Sequence, residues 1–242
     1  MRTVRNSVFE TNSSSMHAIV IPKNSFFNKE PVTVCMDADM DFSDRTLIER
    51  KLPDEKASYC LHLIMKHWSD KLVCGKWSHA KKGYLNITDK EVQQNEKIIA
   101  AYRKFMSWMK ACFKKRWAID LKVKNVAISC TKQVATIEPK HWATTGCYGH
   151  VVLQNILMNY MFDTIDKMVN PDADLSFLKD TDSCTAYLCF CDVASFILDP
   201  NAVIIQNTDE CDKKDYRKMQ RMVIDYVKKN HGKCFVDWPY GG

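Results

Sequence analysis

Glycine and proline are scarce, at seven residues each in a chain of 242. So few flexible or chain-breaking positions exclude a loop-dominated or low-complexity protein and predict that helices dominate. No run approaches the ~18–20 apolar residues that a membrane helix requires. Met1-Arg2-Thr3-Val4-Arg5-Asn6-Ser7 lacks the apolar centre of a secretory signal, so a cytoplasmic location is expected, with no membrane partner. Phosphate-binding P-loop and dinucleotide fingerprints are missing, as are helix-turn-helix, zinc-finger and RNA-recognition signatures. No motif therefore names a cofactor or a mode of sequence-specific base reading.

What is present is an ordinary globular composition, 46% hydrophobic and 26% charged. It predicts a packed core, and the alternation of segments below predicts one α+β domain over residues 1–242, with a small mixed or antiparallel sheet and several packed helices. The eleven cysteines are odd in number, and Cys60, Cys112 and Cys189 sit among apolar neighbours. They read as reduced thiols acting as small hydrophobes. Cys147 with His150, and a looser group of Cys60, His62, His67, Cys74 and His79, lack the two close ligand pairs of structural zinc, so no metal is expected. Cys189 and Cys191 fit one apolar face of a strand.

Segments 2–10 and 16–22 are rich in β-branched and aromatic residues and predict two strands joined by the polar turn Thr11 to Ser15. Pro31 to Cys35 predicts a third strand, followed by an acidic loop from Asp37 to Asp44. Ser43 suits the cap of a short helix over 44–51, and Pro53 the first turn of the next, over 54–69. Thr88-Asp89-Lys90-Glu91 is a capping box that opens the clearest helix, 89–116. A strand is expected over Lys124 to Cys130, and a second long helix over 148–169, stopped by Asn170-Pro171-Asp172. Segment 184–198 is apolar on all sides, and its periodicity decides neither helix nor strand. A strand at Ala202 to Ile205, an amphipathic helix over 212–230 and a closing strand at Cys234 to Val236 complete the reading.

Two features carry chemistry. The first is the N-terminal turn, where Arg5, Glu10, Thr11, Asn12, Ser13, Ser14, Ser15 and His17 fall within thirteen residues. A serine-rich turn can direct backbone amides at an anion, and an adjacent arginine adds charge-assisted bonds. On this reading Arg5, Asn12, Ser13 and Ser15 bind a phosphate-bearing small molecule, and Glu10, Ser14 and His17 are the catalytic candidates. The ordinary alternative is a solvated surface hairpin.

The run Arg5-Asn6-Ser7-Val8-Phe9-Glu10-Thr11-Asn12-Ser13-Ser14-Ser15-Met16-His17 resembles the opening of a group of uncharacterised proteins. They are encoded by tailed bacteriophages and by phage-derived genes in bacteria, and share the pattern R-x-x-V-F-E-T-N-S-S-S-x-H. The resemblance covers about seventeen residues. It implies a phage-type accessory protein working in the host cytoplasm, and a role for the turn beyond solvation. It supplies no reaction.

The second feature is charge. Residues 71–132 hold fifteen Lys or Arg against four Asp or Glu, within a chain of net charge +6. On the long helix, Lys110, Lys114, Lys115 and Arg116 are the nucleic-acid-binding candidates, with Trp108 and Trp117 among them. Lys71, Lys76, Lys81 and Lys82 flank Trp77 and Tyr84. Such interleaving neutralises phosphates and stacks on bases, or is a solvated face whose aromatics point inward. Three functions follow: a phosphate- or nucleotide-directed protein, including a phosphoryl- or nucleotidyl-type enzyme; a non-catalytic phage protein gripping a host protein or nucleic acid; and, least favoured by the few glycines and many cysteines, a virion component.

Overall fold

The computed structural model describes residues 30–41, 48–141 and 151–206, with Arg217, Lys218, Arg221, Ile224, Asp225 and Lys228 beyond them. The expected strands at 2–10 and 16–22, the N-terminal turn and the closing strand at 234–236 lie outside these residues. The six separate residues near the C-terminus are helical and exposed, on the segment read as an amphipathic helix.

In chain order the elements are β1 (Val32–Asp37), β2 (Ile48–Arg50), α1 (Pro53–Ser69), β3 (Trp77–Ser78), β4 (Gly83–Tyr84), α2 (Asp89–Trp117), β5 (Ile119–Lys124), β6 (Val126–Cys130), β7 (Ala135–Pro139), α3 (Val151–Met168), a 3-10 turn at Ser176–Lys179, α4 (Cys184–Leu198) and β8 (Ile204–Gln206). Helix and strand are mixed, as composition and patterning predict. Among the described residues the strands form two-stranded pieces. β1 and β5 pair in parallel, from Val32 opposite Ile119 to Asp37 opposite Lys124. β2–β8, β3–β4 and β6–β7 are antiparallel pairs.

A parallel pair needs a long crossover, and here α1 and α2 both lie in it. α1 starts at Pro53, whose missing amide costs nothing at a first helical turn. The Glu55 carboxylate accepts from the Lys51 and Leu52 amides at 2.9 and 3.0 Å. Every residue from Lys56 to Met65 is buried, so α1 is the central helix rather than an amphipathic surface one. Its buried ammonium is bonded accordingly: Lys56 Nζ donates to the carbonyls of Asp199 at 2.7 Å and Ala202 at 3.3 Å. Burial pulls that ammonium down to about 8.

α2 begins as predicted. The Glu91 amide donates to Thr88 Oγ1 at 3.3 Å and the Thr88 amide to Glu91 Oε2 at 2.7 Å. It ends at Ala118, held at φ 53, where the chain turns straight into β5. α4 settles the ambiguous segment as helix, because Ser183 caps it by accepting from the Ala186 amide at 3.1 Å. Phe190 of α4 sits at ring-centroid distances of 4.8 Å from Trp108, 5.6 Å from Phe113 and 6.0 Å from Phe105, so α2 and α4 share one aromatic core.

Three expectations are corrected. Of the helix expected over 44–51, the described residues Ile48–Arg50 form strand β2 instead, paired with Ile204–Gln206. The strand expected over Lys124 to Cys130 is two strands, broken at Asn125, whose φ of 58 lies in the left-handed region that asparagine tolerates. Cys189 and Cys191 lie on helix α4, both buried, not on one face of a strand.

Candidate functional site

The seven N-terminal candidates, Arg5, Glu10, Asn12, Ser13, Ser14, Ser15 and His17, lie outside the described residues, as do Cys147 and His150. The basic third lies within them, and its members divide sharply by environment.

On α2 the aromatics belong to the core. Trp108 is 3% exposed, and its indole Nε1 donates to the Asp180 carbonyl at 3.3 Å. Trp117 packs against Phe113 and stacks near Tyr187. The charges divide too. Arg116 donates to the carbonyls of Thr181 at 2.9 Å and Ser183 at 3.0 Å and lies over the Tyr187 ring, which ties the end of α2 to the start of α4. Lys115 pairs with Asp182. Lys114 is exposed and Lys110 partly so. Lys97, Arg103 and Lys104 are exposed as well, and helical geometry places these basic residues on one arc with Ala100, Ser107 and Ala111 between them. Glu96 and, in the first turn, Asp89 are the acids on that arc, and Asp89 pairs with Lys132 at 3.1 Å. Substitutions that isolate surface charge therefore belong at Lys110 and Lys114, whereas Arg116 is part of the fold.

The hairpin is the reverse case. Trp77 and Tyr84 face each other across β3 and β4, with ring centroids 5.1 Å apart and planes at 83°. They are 51% and 50% exposed, and neighbouring Leu85 is 41% exposed. Lys76 immediately precedes Trp77, and Lys81 and Lys82 lie in the loop between the strands, all three exposed, and residues 71–88 contain no Asp or Glu. The base of the hairpin is fixed. The Leu85 amide donates to the Lys76 carbonyl at 2.9 Å, and the Ile87 amide to the Lys132 carbonyl, in the β6–β7 turn, at 2.7 Å. Gly75 completes the anchor: a Cβ there would stand 1.9 Å from the Gln133 carbonyl oxygen, so only glycine allows this approach. Beyond the turn, a groove of about 350 Å³ runs between α2 and β6, lined by Glu96, Ile99, Arg103, Ile128, Ser129 and Cys130.

A polar group that patterning did not single out gathers at the carboxyl ends of β1 and β5, where open parallel sheets commonly hold ligands. Asp37 Oδ1 accepts from Asn125 Nδ2 at 2.8 Å and from the Asp39 amide at 3.0 Å, and the Asp37 amide donates to Ser58 Oγ at 2.8 Å. Asp39 Oδ1 accepts from the His141 amide at 3.2 Å. His62, buried on α1, is held down to about 4 by burial, against the nearby Asp37 and Asp39 carboxylates. It is therefore neutral at pH 7. These bonds hold the strand end and the β5–β6 turn together, and they account for the left-handed Asn125. Only the acidic stretch after β1 signalled the group in sequence.

Among the described residues no three His, Cys, Asp or Glu converge as metal ligands, and no helix is long and apolar enough to cross a membrane. The members of the looser Cys/His group differ in environment: Cys60 and His62 are buried in α1, His67 contacts Asp166 at 2.8 Å, and Cys74 and His79 are exposed. No family model, curated protein or solved structure matches the chain.

Proposed function

We propose that this protein binds nucleic acid through its basic third, with the β3–β4 hairpin, the β6–β7 turn and the exposed arc of α2 as the contact surface. The observation that carries this reading is the hairpin: an exposed Trp77–Tyr84 pair with the exposed Lys76, Lys81 and Lys82 on the same short turn, and no acid in residues 71–88. Lys132 stands at the same place, because its carbonyl receives the Ile87 amide. At 1.5 Å per residue, the arc from Lys90 to Lys114 extends the positive surface by about 36 Å. The role assigned is binding, in the manner of a phage accessory protein, and no reaction is attached to it.

The test is a salt titration of the whole protein against a labelled oligonucleotide. Each phosphate neutralised releases counterions, so log K falls linearly with log salt, by roughly 0.7–0.9 per contact. Exchanging Lys76, Lys81, Lys82 and Lys132 for Gln is expected to flatten that slope by about 3. Binding insensitive to salt, or none at low ionic strength, would rule the reading out.

A second reading rests on the density of hydroxyl, carboxylate, imidazole and guanidinium groups between Arg5 and His17: a pocket for a phosphate-bearing small molecule, where Glu10, Ser14 and His17 handle protons. Its check is a thermal-shift screen with nucleotides and inorganic phosphate. A stabilisation is expected in the wild type and lost in Arg5→Ala; no hit, or a hit that survives Arg5→Ala, excludes it.

A further inference from the structure

Resting on the nucleic-acid reading, we infer that the β3–β4 hairpin is a stacking platform for unpaired bases, so the ligand is single-stranded nucleic acid rather than duplex. Trp68 and Trp108 are 0% and 3% exposed, whereas Trp77 is 51% exposed and packs chiefly on another half-exposed ring, Tyr84. Large apolar side chains grouped on a projecting turn mark a contact surface. The hairpin is also preorganised. Its strands are two residues each, too short to hold themselves, yet the Gly75 approach and the Leu85 and Ile87 amide bonds fix its base. Two rings therefore stand ready at a defined angle, and little side-chain entropy is lost when a ligand meets them.

Charge complementarity selects the occupant. Lys76 precedes Trp77, while Lys81 and Lys82 lie in the loop joining the strands, with Lys82 turned to φ 47. A polyanion whose charges flank flat apolar faces fits this pattern. An intact duplex buries its base faces and shows the hairpin only phosphates and groove edges. A single strand offers both groups together, with phosphates for the lysines and a base for the outer face of the ring pair.

The experiment measures fluorescence anisotropy of the full chain with a labelled oligo(dT) and with a blunt duplex of equal length, each across a salt series. The wild type is expected to prefer the single strand by roughly ten-fold or more, the contribution of one stacked base. Trp77→Ala with Tyr84→Ala should bring single-strand affinity to the duplex level and leave the salt slope unchanged. Trp77→Phe should restore much of the preference, which separates stacking from loss of fold. Lys81→Gln with Lys82→Gln should weaken both ligands and lower both slopes. Equal wild-type affinity for the two ligands, or a preference that survives the double aromatic change, overturns the stacking platform while leaving the charge-based reading in place. Absence of binding to either oligonucleotide at low ionic strength overturns both. Adsorption to anionic phosphatidylserine vesicles without oligonucleotide binding assigns the hairpin to a membrane surface and overturns both as well.

Discussion

Raising the pH from 9 to 11 is expected to unfold this protein. Cys60, Cys112, Cys189 and Cys191 are all buried. Burial pushes the thiols of Cys60, Cys112 and Cys191 up to about 12 and that of Cys189 up to about 11. In the unfolded chain each ionises near ~8.5. Above that pH the unfolded state has released protons that the folded state retains, so stability falls as pH rises. Each thiol contributes a slope of about 1.4 kcal/mol per pH unit, and four together reach the order of 5 kcal/mol per unit. Lys56 acts in the opposite direction. Its folded value of about 8 lies below the unfolded one, so between the two values the unfolded lysine holds the extra proton and stability rises with pH. One group against four leaves a net loss comparable to the whole stability of a typical domain. Urea midpoints followed by circular dichroism at pH 7.5, 9 and 10 would show it. A midpoint constant through pH 10 would contradict this account of the core, and Cys60→Ala should make the decline shallower.

Phe190→Ala is expected to cost about 3–5 kcal/mol, the range for removing a large ring from a packed interior. Phe190 is fully buried and touches the rings of Phe105, Trp108 and Phe113, three α2 residues that hold α2 against α4. The same change should leave the hairpin's contacts in place, because Trp77 and Tyr84 are no part of that cluster. Chemical denaturation checks the first statement, and oligonucleotide affinity measured below the unfolding transition checks the second. A loss under ~1 kcal/mol would mean that the site collapses around the missing ring.

Local signals were legible in the sequence and long-range ones were not. Thr88 and Glu91 mark the start of α2 because a capping box is a property of four consecutive residues, and Pro53 marks α1 for the same reason. The start of α4 was written in Ser183, but an all-apolar segment hides it. β5 alternates Ile119, Leu121 and Val123 with Asp120, Lys122 and Lys124, a strand pattern masked by its direct attachment to the end of α2. Its parallel pairing with β1 depends on a partner beyond two helices, which no local pattern encodes. The same limit applies to the site. Trp77 and Trp108 are both flanked by basic residues in the sequence. Only packing distinguishes the exposed ring on a hairpin from the one sealed against α4. Lys114 and Arg116 are two positions apart, yet one is exposed and the other ties two helices together.

The contact surface is tested most directly by photo-crosslinking. A single strand carrying 5-iodouracil is bound to the full chain at low ionic strength, irradiated, and the adducts are mapped by mass spectrometry. Adducts concentrated at Trp77 and Tyr84, competed away by unlabelled oligo(dT) and by added salt, are the predicted result. Adducts that avoid residues 76–85, or that persist unchanged at high salt, would contradict it.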